Sequence, residues 1–187
     1  LGIVGMGKIG REVMSRCRSF GMKILGYDPY MNQDMFNPEE VNIVDLDTLT
    51  TQSNFITVHV PLTDGTRDLF DYDRLSSMKK TARIINVARG GIINEIDLAQ
   101  ALTEGKIGGA AIDVFTTEPI ETSNPLVKAP NIVLTPHLGA STQEAKEGVS
   151  MAVCEQVRDY LIHEKLNNAL NMPISDLTKL KEIQINL

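Results

Sequence analysis

Short apolar runs alternate along the chain with stretches in which apolar and polar residues recur at helical spacing. The runs at 1–4, 23–27, 42–44, 55–59, 82–86, 109–114 and 132–135 predict strands. Several are rich in β-branched residues and nearly uninterrupted, as in strands covered on both faces. The stretches 9–20, 46–52, 72–78, 95–104 and 143–164 predict helices. The last carries Ala145, Val149, Ala152, Val153, Val157, Tyr160 and Leu161 at the spacing of one helical stripe. Strands alternating with helices imply βαβ units, hence an α/β fold: a doubly wound parallel sheet of about seven strands with helices on both faces. No internal repeat or low-complexity tract interrupts the pattern. Asn171-Met172-Pro173 ends it. The expected organisation is a core over 1–142, a long helical segment over 143–170 and a tail over 171–187.

Composition narrows the possible partners. The 187 residues carry 18 Lys and Arg against 24 Asp and Glu, a net charge of −6 with no basic run. That balance argues against nucleic acid or an anionic membrane as the main partner. No apolar stretch approaches the roughly 18–20 residues that span a bilayer. Cys17 and Cys154 lie too far apart in sequence to suggest a disulfide framework or a metal-ligand pair. A reducing, cytoplasmic compartment fits them. The chain opens on Leu1, already inside the strand-like run Leu1-Gly2-Ile3-Val4, so it is expected to be a domain cut from a longer protein.

The first strand runs into Gly5-Met6-Gly7-Lys8-Ile9-Gly10, a G-x-G-x-x-G turn that opens a helix. In such a Rossmann-type unit Gly5 permits the tight turn, Gly7 lets backbone approach a diphosphate, and Gly10 lets helix and sheet pack closely. The free N–H groups and positive dipole end of the helix favour that diphosphate. The second strand ends at Asp28, eighteen residues past Gly10. An acid there accepts hydrogen bonds from a ribose hydroxyl and repels a 2′-phosphate, which selects NAD over NADP. The structural alternative is a glycine-rich turn followed by a turn-forming Asp28-Pro29 pair.

Ligands of doubly wound sheets bind outside the carboxyl ends of the strands. Three successive strand ends there present Arg89 after 82–86, Glu118 after 109–114 and His137 after 132–135. Hydride exchange between a nicotinamide and an alcohol needs a group that moves the hydroxyl proton, and histidine suits that task near neutral pH. A carboxylate such as Glu118 can orient the imidazole and favour its charged form. A guanidinium such as Arg89 can grip a substrate carboxylate in a two-pronged fork and polarise the carbonyl. Each also has a plainer reading: a surface turn arginine, a solvated loop acid, a histidine bonded in a tight corner.

Taken in series, GMGKIG, Tyr27-Asp28-Pro29, HVPLT at 59–63, NVARGGIINE at 86–95, DVFTTEP at 113–119 and PHLGAST at 136–142 closely resemble the NAD-dependent D-isomer-specific 2-hydroxyacid dehydrogenases. The resemblance covers roughly 1–170, and GGIINE and HLGAST point to the branch acting on D-3-phosphoglycerate. It implies Arg89 as the substrate-carboxylate arginine, Glu118 as the acid paired with histidine, and His137 as proton donor and acceptor. It implies Lys8 and Ile9 at the pyrophosphate, Asp28 at the ribose, Val60 and Pro61 on the adenine side, and Val87, Ala88 and Arg89 beside the nicotinamide. Asp113 matches a carboxylate near the nicotinamide ring, and Gly139 and Ala140 follow the histidine. Val60 stands where close relatives often carry Thr, and Val87 where some carry Cys.

The resemblance further implies a cofactor domain set between two halves of a substrate domain, one preceding Leu1, and a homodimer or homotetramer. It implies oxidation of phosphoglycerate to phosphohydroxypyruvate in serine synthesis. The alternatives are another D-2-hydroxyacid dehydrogenase (acting on glyoxylate, hydroxypyruvate or lactate) or a dinucleotide-sensing corepressor of the same fold. No metal is expected. His59 reads as a structural turn residue under the cofactor, His163 as a solvated cation at a helix end, Cys17 as a packing residue, and Met6 as ordinary variation.

Overall fold

The apolar runs become seven parallel strands: β1 Gly2–Val4, β2 Leu25–Tyr27, β3 Asn42–Ile43, β4 Phe55–Val58, β5 Arg83–Asn86, β6 Gly109–Ile112 and β7 Ile132–Leu134. These are the elements of a computed structural model that describes residues 1–139, 141–163 and 165. The strands form one sheet in the order β3-β2-β1-β4-β5-β6-β7. The order therefore reverses between β1 and β4, the switch point at which open sheets of this kind leave a crevice. The helices are α1 Lys8–Ser19, α2 Leu46–Gln52, α3 Tyr72–Ser77, α4 Glu95–Thr103 and α5 Gln143–His163. Two single 3-10 turns, Gln33–Met35 and Pro125–Lys128, are too short for any period to announce them.

Successive residues of β1 feed opposite faces of the sheet, as strand pleating requires. Val4 belongs to the larger core with Leu49, Leu75 and Leu98 from α2, α3 and α4. Ile3 belongs to a smaller core with Met6, Ile24 and Val41, against which Val13, Met14 and Cys17 of α1 pack. This is the doubly wound arrangement, and it makes Cys17 a packing residue. It also corrects the reading of Met6, which is fully buried and a member of that smaller core. A residue inside a glycine turn gives no periodic signal, so its burial is set by where the turn folds back.

The run 109–114 stops pairing at Ile112, where both neighbouring strands also end, so Val114 is buried by packing rather than by a ladder. The chain divides into two compact units, one spanning Leu1–Gly139 and the other containing α5. The apolar stripe of α5 predicts a covered face, yet the helix buries none of its residues. Among the described residues of its own unit there is no second element to cover it. Ala140, the end of the 143–170 segment and the tail 171–187 lie outside the described residues.

Candidate active site

The glycine turn forms because the chain leaves β1 hard against the residues that follow β4, with almost no clearance. Gly5 has φ +97°, and a Cβ there would meet the His59 carbonyl oxygen at 2.6 Å and Val60 Cγ1 at 2.8 Å. A Cβ on Gly10 would lie 2.0 Å from the Gly5 carbonyl oxygen, so the first turn of α1 rests directly on the loop. Asp28, at the end of β2, ties this loop down. Its Oδ2 accepts from the Met6 N–H at 3.0 Å and its Oδ1 from the Tyr30 N–H at 3.0 Å. Each carboxylate oxygen keeps acceptor capacity, so a ribose hydroxyl can still donate to it. Val60 and Pro61 follow β4 beside this turn. Lys8 and Ile9 are exposed, Ile9 by 62%.

The other strand ends converge on a cavity of about 320 Å³ whose lining includes Leu62, Arg89, Thr116, Glu118 and His137. His137 Nδ1 lies 2.7 Å from Glu118 Oε2, while Glu118 Oε1 accepts from the Phe115 N–H at 2.9 Å. An ionised carboxylate only accepts, so Nδ1 carries the proton. The hydrogen bond with His137, and after it the one from Phe115, holds the Glu118 carboxyl below its ordinary range. Arg89 is exposed, and its guanidinium donates to the adjoining Ala88 carbonyl at 2.6 Å.

His137 has φ 54°, a conformation that costs a non-glycine residue about 1–3 kcal/mol and persists where the surroundings impose it. Asp113 imposes it. Its Oδ1 accepts from the Leu138 N–H at 2.8 Å and from the Thr135 hydroxyl at 2.5 Å, and its Oδ2 from the Gly139 N–H at 3.1 Å. Burial pushes the Asp113 carboxyl up, but these three donors outweigh it and leave it below the ordinary value.

Two contributors went unread in the sequence. Asn86 is buried, and its side chain accepts from the Ala88 N–H at 3.0 Å and donates to the Arg89 carbonyl at 2.9 Å, shaping the loop that presents Val87, Ala88 and Arg89. An Asn at a strand end just before a turn is the signal that could have found it. Glu95, the first residue of α4, is the second. His59 is not among the lining residues of that cavity. Its Nε2 sits 2.9 Å from the Thr57 hydroxyl, and burial lowers its pKa.

Residues 1–139 match the D-isomer-specific 2-hydroxyacid dehydrogenase NAD-binding domain. The chain belongs to that family. As a D-2-hydroxyacid dehydrogenase domain it is 47% identical over 173 residues to a D-3-phosphoglycerate dehydrogenase of Synechocystis sp., covering 92% of this chain and 31% of the relative. Against the D-3-phosphoglycerate dehydrogenase of Methanocaldococcus jannaschii it is 44% identical, over 98% of this chain and 35% of that one. It thus spans about a third of the length of these curated relatives. A solved NAD-dependent formate dehydrogenase from Staphylococcus aureus, in complex with NAD, is 34% identical with a TM-score of 0.78, over 89% of this chain and 50% of that one.

The cofactor of this dehydrogenase domain is NAD, and the residues fit it. α2, α3 and α4 each begin at a side chain that caps free N–H groups: Asp45, Asp71 and Asn94. α1 begins at Gly7 with no side-chain cap and no acid in its first turn. A Cβ on Gly7 would touch nothing within 4 Å, so the space above these donors is open. Uncapped N–H groups facing open space suit a diphosphate.

Proposed function

We propose that the full-length protein oxidises D-3-phosphoglycerate to 3-phosphohydroxypyruvate with NAD, this chain being its cofactor domain. The observation that carries the reading is the Glu118–His137 pair opening on the same cavity as Arg89, beyond the carboxyl ends of β5, β6 and β7, the edge of the parallel sheet on which the glycine turn after β1 also lies. NAD held there would supply the hydride acceptor for the substrate carbon. His137 takes the hydroxyl proton at Nε2, since Nδ1 is committed to Glu118. Glu118 orients the ring and stabilises the imidazolium that results. Arg89 grips the substrate carboxylate and polarises the oxygen at the reacting carbon. In the reverse direction His137 returns the proton.

Gly5, Gly7, Lys8, Ile9 and Gly10 would receive the pyrophosphate and Asp28 the ribose. Val60 and Pro61 would line the adenine side. Val87, Ala88, Asp113 and Gly139 would flank the nicotinamide. Phosphoglycerate as substrate is supported by the names of the relatives in Synechocystis sp. and M. jannaschii. A homodimer or homotetramer in the cytoplasm belongs to the same reading. Among the described residues no helix is long and apolar enough to cross a membrane.

Replacing His137 with Ala in the full-length protein should lower kcat at least a hundredfold, the scale of a lost general acid-base group, while NAD affinity stays within about threefold. Turnover at the wild-type rate would overturn the assignment. Steady-state rates with phosphorylated and unphosphorylated 2-hydroxy acids test the substrate, and a preference for lactate or glycolate would move the protein to another branch.

A further inference from the structure

The loop that delivers Glu118 is held by a carboxylate outside the cavity. Glu95 Oε1 accepts from the Thr116 N–H at 2.6 Å and from the Thr116 hydroxyl at 2.8 Å, and its Oε2 accepts from the Asn124 side-chain amide at 2.6 Å. Thr116 and Asn124 stand on either side of Glu118 in the chain, so one carboxylate clamps both ends of the segment that carries it. Asn124 is itself fixed, because its Oδ1 accepts from the Leu126 N–H at 3.0 Å. Glu95 starts α4, where an acid is favoured by the helix dipole, and Asn94 before it caps the helix. The Arg89 loop is joined to the same place: a Cβ on Gly90 would lie 2.0 Å from the Phe115 carbonyl oxygen. Glu95 is not among the residues that line the cavity.

We propose that Glu95 is a positioning residue for the reaction, acting through Glu118 to hold the His137 ring in register with Arg89. This rests on the reading of Glu118 and His137 given above. Two carboxylate oxygens accepting three hydrogen bonds meet three donors. An amide cannot do the same, because its NH₂ would face either the Thr116 N–H or the Asn124 NH₂. Rotating the Asn124 amide to relieve that clash would abandon the Leu126 cap. Misplacing an oriented catalytic group by about an ångström costs on the order of tenfold to a hundredfold in rate.

The test uses the full-length enzyme, with NADH formation followed on a D-2-hydroxy acid that it turns over. E95Q should lower kcat about tenfold while the KM for NAD changes less than twofold, since the clamp lies away from the glycine turn. In an E118Q background the same E95Q change should cost less than twofold, because the residue through which it acts is already impaired. N124D keeps the Leu126 cap but sets a second carboxylate against Glu95, so it should lower kcat as E95Q does. The double variant E95Q/N124D restores all three hydrogen bonds and should recover most of the rate. Wild-type kcat in E95Q, an undiminished effect in the E118Q background, or no recovery in the double variant would each overturn the proposal. Should E95Q fail to fold, N124D and the double variant decide it by the same criteria. Failure of the underlying reading looks different: turnover would then survive His137→Ala.

Discussion

One buried carboxylate sets the backbone around His137. Asp113 is 5% exposed and takes three hydrogen bonds from the segment around His137. Because its folded pKa is lowered, its contribution to stability is fully present above the unfolded carboxylate value near 4 and is lost as pH falls through the folded value. Asp113→Asn keeps one acceptor and turns the other into a donor facing an N–H, so it should destabilise the domain by about 1–3 kcal/mol at pH 7. The difference in Tm between wild type and variant should then begin to shrink as pH falls below about 4, the unfolded value, and go on shrinking through the lower folded value, where the wild-type carboxylate is protonated too. Melting curves from pH 7 to pH 3 check this, and a constant difference would contradict it. None of these partners was legible, since Thr135, Leu138 and Gly139 lie 22 to 26 positions away in sequence. Arg89, Glu118 and His137 were legible because each follows a strand, and strand ends share one edge of a parallel sheet.

The start of α1 separates two roles that glycines play side by side. Gly10 lies against backbone, and a Cβ there would come 2.0 Å from a carbonyl that no side-chain motion can remove. Gly10→Ala should therefore cost roughly 1–3 kcal/mol or more, as overpacking does, and lower the Tm. Gly7 is extended, with φ −70° and ψ −162°, and faces open space. Gly7→Ala should leave stability within about 0.5 kcal/mol yet weaken NAD binding, because the added methyl stands where a diphosphate must approach. Calorimetric binding beside thermal melts reads both, and equal loss of stability in the two variants would refute the division of roles. The strands and helices themselves were legible from periodicity, to within one or two residues at most ends. Met6 was not, since its burial depends on a turn folding back. The helical spacing over 143–164 was legible as α5, but apolar residues at that spacing do not say what lies against them.

At the scale of the molecule, the 187 residues hold a glycine turn, an acid at Asp28 and the hydrogen-bonded pair Glu118–His137, but span about a third of the curated relatives. The isolated chain should bind NAD with a Kd between about 1 µM and 1 mM, some 4–8 kcal/mol, without turning over a hydroxy acid. Titration calorimetry and an NADH assay on the chain alone check this, and robust turnover would show that these residues suffice. The sequence by itself determined the doubly wound sheet, the dinucleotide turn and the polar residues at its rim. Those properties follow from local period, from glycine's freedom and from the rule that parallel strands end together. Only the tertiary structure decided that Asp113 grips the His137 loop and that Glu95 clamps the segment around Glu118. These hydrogen bonds join segments more than twenty positions apart in sequence, and their geometry exists only once the sheet has brought those segments together.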